Sequence, residues 1–167
     1  SENMTDVLAA LAALMESPHG LEKERALEAF YKRWHKEPLV INQWFAVQAA
    51  CPLPGTLERV QRLLSHPAFD IQNPNKVRAL VGTFCSGNLV NFHAPDGSGY
   101  RFLGDRVIEL DKLNPQITAR VLTPLTRWRK FPEPAQHAMT AELERILAQP
   151  KLSPDVYEIA SKSLEAS

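Results

Sequence analysis

The chain has 167 residues, long enough for a sizeable hydrophobic core without disulfides or metals. Nineteen Lys and Arg balance nineteen Asp and Glu, so there is none of the broad positive field expected of a protein that tracks nucleic acid or an anionic membrane. No apolar run reaches the roughly 20 residues needed to span a bilayer.

The first element begins after the capping-type residues Asn3 and Thr5, where Val7, Leu8, Leu11, Leu14 and Met15 recur at helical spacing, and it should end at Ser17-Pro18-His19-Gly20. A second helix is expected over residues 21–36, with Leu27, Phe30, Tyr31 and Trp34 forming one apolar stripe. Prolines at 38, 74, 115 and 154 then open helix-like runs at intervals of 36, 41 and 39 residues. Proline suits the first turn of a helix, because its missing N–H has no intrahelical partner there. The runs are 39–50, 75–86, 116–128 and 155–164, and between them lie the alternate helical segments 56–65, 100–113 and 135–148. A helix pair of about 40 residues is the unit of HEAT or armadillo arrays. The expected fold is therefore all-α, a superhelical array of helix pairs, with residues 1–167 forming one helical-repeat domain.

The stretch 87–99 breaks this rhythm, because Asn91, Pro95, Asp96, Gly97 and Gly99 are turn formers. Its length makes it a candidate contact region. It is no phosphate cradle: the dinucleotide pattern asks for glycine where Phe102 stands, and no P-loop lysine is present. The basic run Arg127 to Lys130 suits a helix C-terminus, where cations complement the dipole.

Five histidines, at 19, 35, 66, 93 and 137, are scattered, and none has a second histidine at metal-ligand spacing. There is no nucleophile elbow. Cys51 and Cys85 sit in apolar helical runs as free thiols of a reducing compartment, which points to the cytoplasm. The chain starts Ser1-Glu2-Asn3 with neither initiator Met nor signal peptide, as a processed protein or a piece of a longer one would.

Five ordered stretches carry a resemblance: NPNKVRALVGTF (73–84), DGSGYRFL (96–103), DRVIELDKLNPQ (105–116), PLTRW (124–128) and LSPDVYEI (152–159). Together they resemble the C-terminal domain of bacterial aminopeptidase N, in the family of zinc aminopeptidases. Gly104 departs from the alanine expected there, at a cost of about 1 kcal/mol within a helix. That family removes N-terminal residues from peptides through a His-Glu-x-x-His zinc motif and a Gly-x-Met-Glu-Asn segment, and this chain contains neither. The resemblance implies a domain that caps a catalytic domain of the same polypeptide and selects peptide substrates. It implies zinc in the full-length parent and no cofactor in this chain, while charge balance and the lack of a long apolar run give the expectation of neither nucleic acid nor membrane as partner.

On the run after Pro115, Gln116, Arg120, Thr123 and Arg127 are expected on one face, and Arg78 holds an early position after Pro74. Spacing leaves Arg78 and Arg120 as either solvated surface residues or residues of a concave lining. The resemblance implies the lining, a peptide channel in which arginine forks meet carbonyls and carboxylates. The other reading of the whole chain is a free-standing repeat scaffold that binds a partner protein.

Overall fold

The computed structural model describes residues 4–18 and 20–165. The predicted cap Asn3 and the turn residue His19 lie outside them. All regular structure among the described residues is helical. In order, α1 is Met4–Met15, α2 Gly20–Trp34, α3 Pro38–Ala49 and α4 Thr56–Leu63. Helix α5, Pro74–Val77, continues as a π-helix over Arg78–Gly87, and α6 is the single turn Leu89–Phe92. There follow α7 (Ser98–Asp111), α8 (Pro115–Val121), α9 (Thr123–Thr126), a 3-10 turn at Trp128–Lys130, α10 (Glu133–Leu147) and α11 (Pro154–Leu164).

Each of the four periodic prolines stands at the start of its helix. Three are preceded by a working cap. The Asn73 side chain accepts from the N–H groups of Asn75 and Lys76, that of Asn114 from Ile117, and that of Ser153 from Val156. Glu37, before Pro38, makes no such bond.

The chain forms two compact units, one through Asn91 and one from Phe92. In the first, α3 is the hub, packing on α1, α2, α4 and the π-helix. Its Phe45 is fully buried together with Val60, Val77, Leu80, Val81 and Phe84. The Trp44 indole N–H donates to the Leu27 carbonyl at 3.0 Å and ties α3 to α2. In the second unit, α10 packs on α7 and α11, and α8 packs on α7 and α11. Leu103, Val107, Leu110, Leu125, Met139 and Leu143 fill that core. Asp111, itself buried, holds the start of α11: its Oδ2 accepts from the Ser153 N–H at 2.8 Å and its Oδ1 from the Ser153 hydroxyl at 2.5 Å.

Two expected helices differ in their interiors. The run after Pro74 widens to i→i+5 bonding from Arg78 onward, which brings Leu80, Val81, Phe84 and Cys85 all to the buried side. The run 116–128 is not continuous. Pro124 has no N–H to offer the preceding turn, so α8 stops at Val121 and a new turn starts at Thr123.

The stretch 87–99 is built rather than loose. The Asn88 side-chain amide donates to the carbonyls of Ala49 and Cys51 at 3.0 and 2.7 Å, and that of Asn91 donates to Cys51 and Leu53. Further on, Asp96 Oδ1 accepts from the Ser98 N–H and hydroxyl at 2.9 and 2.6 Å, and Gly97 takes the positive φ of 75° that leads into α7.

Candidate functional site

The two Asn-Pro caps set where the predicted arginines stand. In the first unit, the Asn73 cap starts α5, and Arg78 follows five residues on, where the helix changes to π. Arg78 is exposed, and its guanidinium donates to Asn75 Oδ1 at 2.6 Å, which holds the side chain against the first turn. In the second unit, Arg120 is exposed on α8, six residues after Asn114, and its guanidinium has no hydrogen-bond or ion-pair partner among the described residues. Gln116 shares α8 and is exposed as well, whereas Thr123 sits on α9 and Arg127 beyond it. The break at Pro124 thus divides the four-residue face expected along one helix. Its apolar counterpart is intact, with Ile117, Val121 and Leu125 buried and Trp128 half-buried.

Sequence reasoning missed Lys76. This lysine is only 7% exposed, and its Nζ donates to the Pro38 carbonyl at 3.0 Å and to Asn42 Oδ1 at 2.5 Å. Both partners are neutral. Burial therefore pushes the Lys76 ammonium below its usual range. The bond fixes α5, and with it the turn that carries Arg78, to the start of α3. The signal was present: the Asn73-Pro74 cap places Lys76 in the first turn, beside the buried Val77.

A second polar group in the first unit also escaped the pattern. Arg59 on α4 pairs with Glu24 on α2 and donates to Gln48 Oε1 at 3.4 Å. The hydrogen bond that Arg59 donates to Glu24 holds the Glu24 carboxyl below the usual carboxylate range. With Trp44, Arg62 and His66 these residues border a concavity of about 440 Å³.

Two histidines are kept neutral. His93 stacks on Phe131 at 4.2 Å between ring centroids, and its Nδ1 shares a hydrogen bond with the Tyr100 hydroxyl at 2.7 Å. Burial pushes His93 down and Tyr100 up, so both stay uncharged. His66 accepts the Ala68 N–H at 3.0 Å among Tyr31, Trp44 and Phe45, and burial lowers it against a smaller opposing pull from Glu28. In both cases the unfolded chain binds the proton more readily. Stability from these sites is therefore complete above the ordinary histidine pKa of about 6.5 and is lost as pH falls below it toward the lowered folded values. Urea midpoints should drop between pH 7.5 and 5.5, and a His66→Gln/His93→Gln double variant should show a flatter dependence. A midpoint that rose on acidification would overturn this.

Among the described residues no three His, Cys, Asp or Glu side chains gather to hold a metal, and no helix is long and apolar enough to cross a membrane. A family model described as a domain of unknown function (DUF3458_C) with ARM repeats matches residues 1–165. Aminopeptidase N of Caulobacter vibrioides is 46% identical over 98% of this chain and 19% of its own length. Those of Haemophilus influenzae and Escherichia coli are 42% and 38% identical over 99% and 98% of this chain, again 19% of each. The crystal structure of Legionella pneumophila aminopeptidase A in complex with aspartic acid matches with a TM-score of 0.92 and 38% identity, over 98% of this chain and 19% of that one. The chain thus spans about a fifth of the length of these relatives, and the part it matches is their C-terminal part. End-to-end agreement with the ARM-repeat model, on an all-helical fold, places the chain in the DUF3458_C family.

Proposed function

We propose that this chain is the C-terminal domain of a zinc aminopeptidase, where it covers the catalytic domain of the same polypeptide and selects the peptides that reach it. The observation that carries this reading is the continuous match of 98% of the chain, at 46% identity, to one fifth of an aminopeptidase N. In such an enzyme the zinc would be held outside this chain, since among the described residues no three His, Cys, Asp or Glu side chains gather to hold a metal. No chemical step therefore runs through the chain itself.

Its contribution is to binding. Arg78 and Arg120 are exposed cations, five and six residues after the caps Asn73 and Asn114, suited to hydrogen bonding with the carbonyls or carboxylate of a peptide. Enclosing a site in this way excludes folded proteins by size and limits water. Cys51 and Cys85 are both buried and not joined to each other in a disulfide, which supports a reducing compartment, the cytoplasm, as its location.

The test is to assay the full-length protein and this chain side by side on alanyl and short peptide substrates. The full-length protein should release N-terminal residues and lose that activity to a chelator, and the chain alone should release none. Chelator-sensitive turnover by the 167-residue chain, or none by the full-length protein, would overturn the assignment.

A further inference from the structure

Beyond its first turn, helix α1 is apolar on every side. From Val7 to Met15 it carries no charged or hydrogen-bonding side chain, yet only Leu11 and Met15 are buried. Ala9, Ala10, Ala12 and Ala13 are exposed, and Val7, Leu8 and Leu14 are half-exposed. A helix of this composition belongs in an interior.

Beside it, α2 contributes Ala26, Ala29, Phe30 and Trp34 to a groove of about 280 Å³ that runs between the two helices. Apart from Arg33, whose guanidinium lies 5.1 Å from the centroid of the Trp34 ring, the side chains that line it are apolar or aromatic. Trp34 adds a second, independent sign, because its indole Nε1 is buried and has no acceptor among the described residues. The other two indoles are paired, Trp44 to the Leu27 carbonyl and Trp128 to Ser163. A buried donor without an acceptor is costly, and an incoming carbonyl would relieve it.

What covers the groove follows from length. The relatives are about five times longer than this chain, and the matched part is their C-terminal part, so the rest of their polypeptide precedes the position of α1. We infer that the α1–α2 groove is the seat of the preceding segment of the same polypeptide, which lays apolar side chains between the alanines and offers one backbone carbonyl to Trp34 Nε1. The alanines matter because they let the incoming backbone approach closely. This inference rests on reading the chain as the end of a longer aminopeptidase.

The test uses that full-length protein with Ala10→Cys or Ala29→Cys, alkylated by a polar maleimide, with the rate read by mass spectrometry at the peptide carrying the new thiol. Both positions are exposed in this chain and would react at close to the unfolded rate if the groove stayed open. If it is covered, native protein should label at least about tenfold more slowly than the same protein unfolded in urea. Trp34→Phe, which keeps an aromatic ring and removes the donor, should return part of that reactivity. Native rates within about threefold of unfolded ones would overturn the inference. So would protection that grows with protein concentration, because a second copy would then be the occupant. Peptidase turnover measured on the same samples separates the two readings: turnover with unprotected thiols removes only the groove assignment, and protection without turnover removes only the enzyme assignment.

Discussion

Replacing Gly99 by alanine should destabilise the second unit by on the order of 3 kcal/mol, even though alanine is the better helix former. Gly99 lies in the first turn of α7, where the backbone of Phe92 passes directly against it. An added Cβ would lie 2.7 Å from both the carbonyl carbon and Cα of Phe92, and closer still to its carbonyl oxygen. These are backbone atoms, and Phe92 is itself fully buried against Tyr100 at 5.2 Å between ring centroids. Neither partner has room to yield. Gly104 gives the contrast within the same helix. The atoms nearest to a Cβ there are the ends of the Glu142 and Arg145 side chains, which can swing away at the cost of their ion pair and of the bond from Arg145 to Asp105. Gly104→Ala should therefore change stability by no more than about 1 kcal/mol, as a gain in propensity offsets a disturbed pair whose Arg145 end is partly exposed and can move. Urea denaturation of both variants beside the parent checks the pair of expectations. Equal and small effects at the two positions would show that the Phe92 approach is not tight.

The same two glycines show how far the sequence is legible. Gly104 drew notice as a departure from a resembled pattern, and its cost was assigned to helix propensity. The structure adds a reason for its absence of a side chain, since the Glu142–Arg145 pair occupies the space beside it. Gly99 looked like one turn former among several, because close approach to a residue seven positions earlier is a tertiary fact that composition does not encode. Helix starts were legible for a local reason: a proline with an Asn or Ser before it satisfies or removes the free N–H groups whatever the rest of the chain does. Helix interiors were less so. Whether the run after Arg78 bonds i→i+4 or i→i+5 depends on how Leu80, Val81, Phe84 and Cys85 meet their neighbours, and nothing in their spacing decides it. The break at Pro124 was readable in principle, from the proline alone. Of the candidate site, the exposure of Arg78 and Arg120 followed from their places beside the apolar stripes, but Lys76 did not. A buried lysine paired with an asparagine 34 residues earlier has no sequence signature beyond its capped first turn.

In the full-length protein, Arg78→Ala and Arg120→Ala should each lower kcat/KM for peptides by about tenfold to a hundredfold while leaving a minimal aminoacyl amide almost unaffected. The magnitude is that of one lost charged hydrogen bond, about 1.5 to 3 kcal/mol. The selectivity has a geometric origin. A minimal substrate presents only the residue being released, whereas a peptide extends past the cut bond to any cation that holds its carbonyls or carboxylate. Arg78 should show the larger dependence on side-chain shape, because its guanidinium is already oriented by Asn75 at 2.6 Å. Arg78→Lys keeps the charge but loses the planar fork, and it should recover only part of the loss. At Arg120, where no partner among the described residues holds the side chain, a lysine should substitute more fully. Neither change removes a buried group, so unfolding free energies from urea denaturation should stay within about 0.5 kcal/mol of the parent. Wild-type kinetics for both alanine variants at every peptide length would return these residues to the solvated surface. Equal losses on amides and peptides would point to disturbed packing of the domain instead of peptide contact.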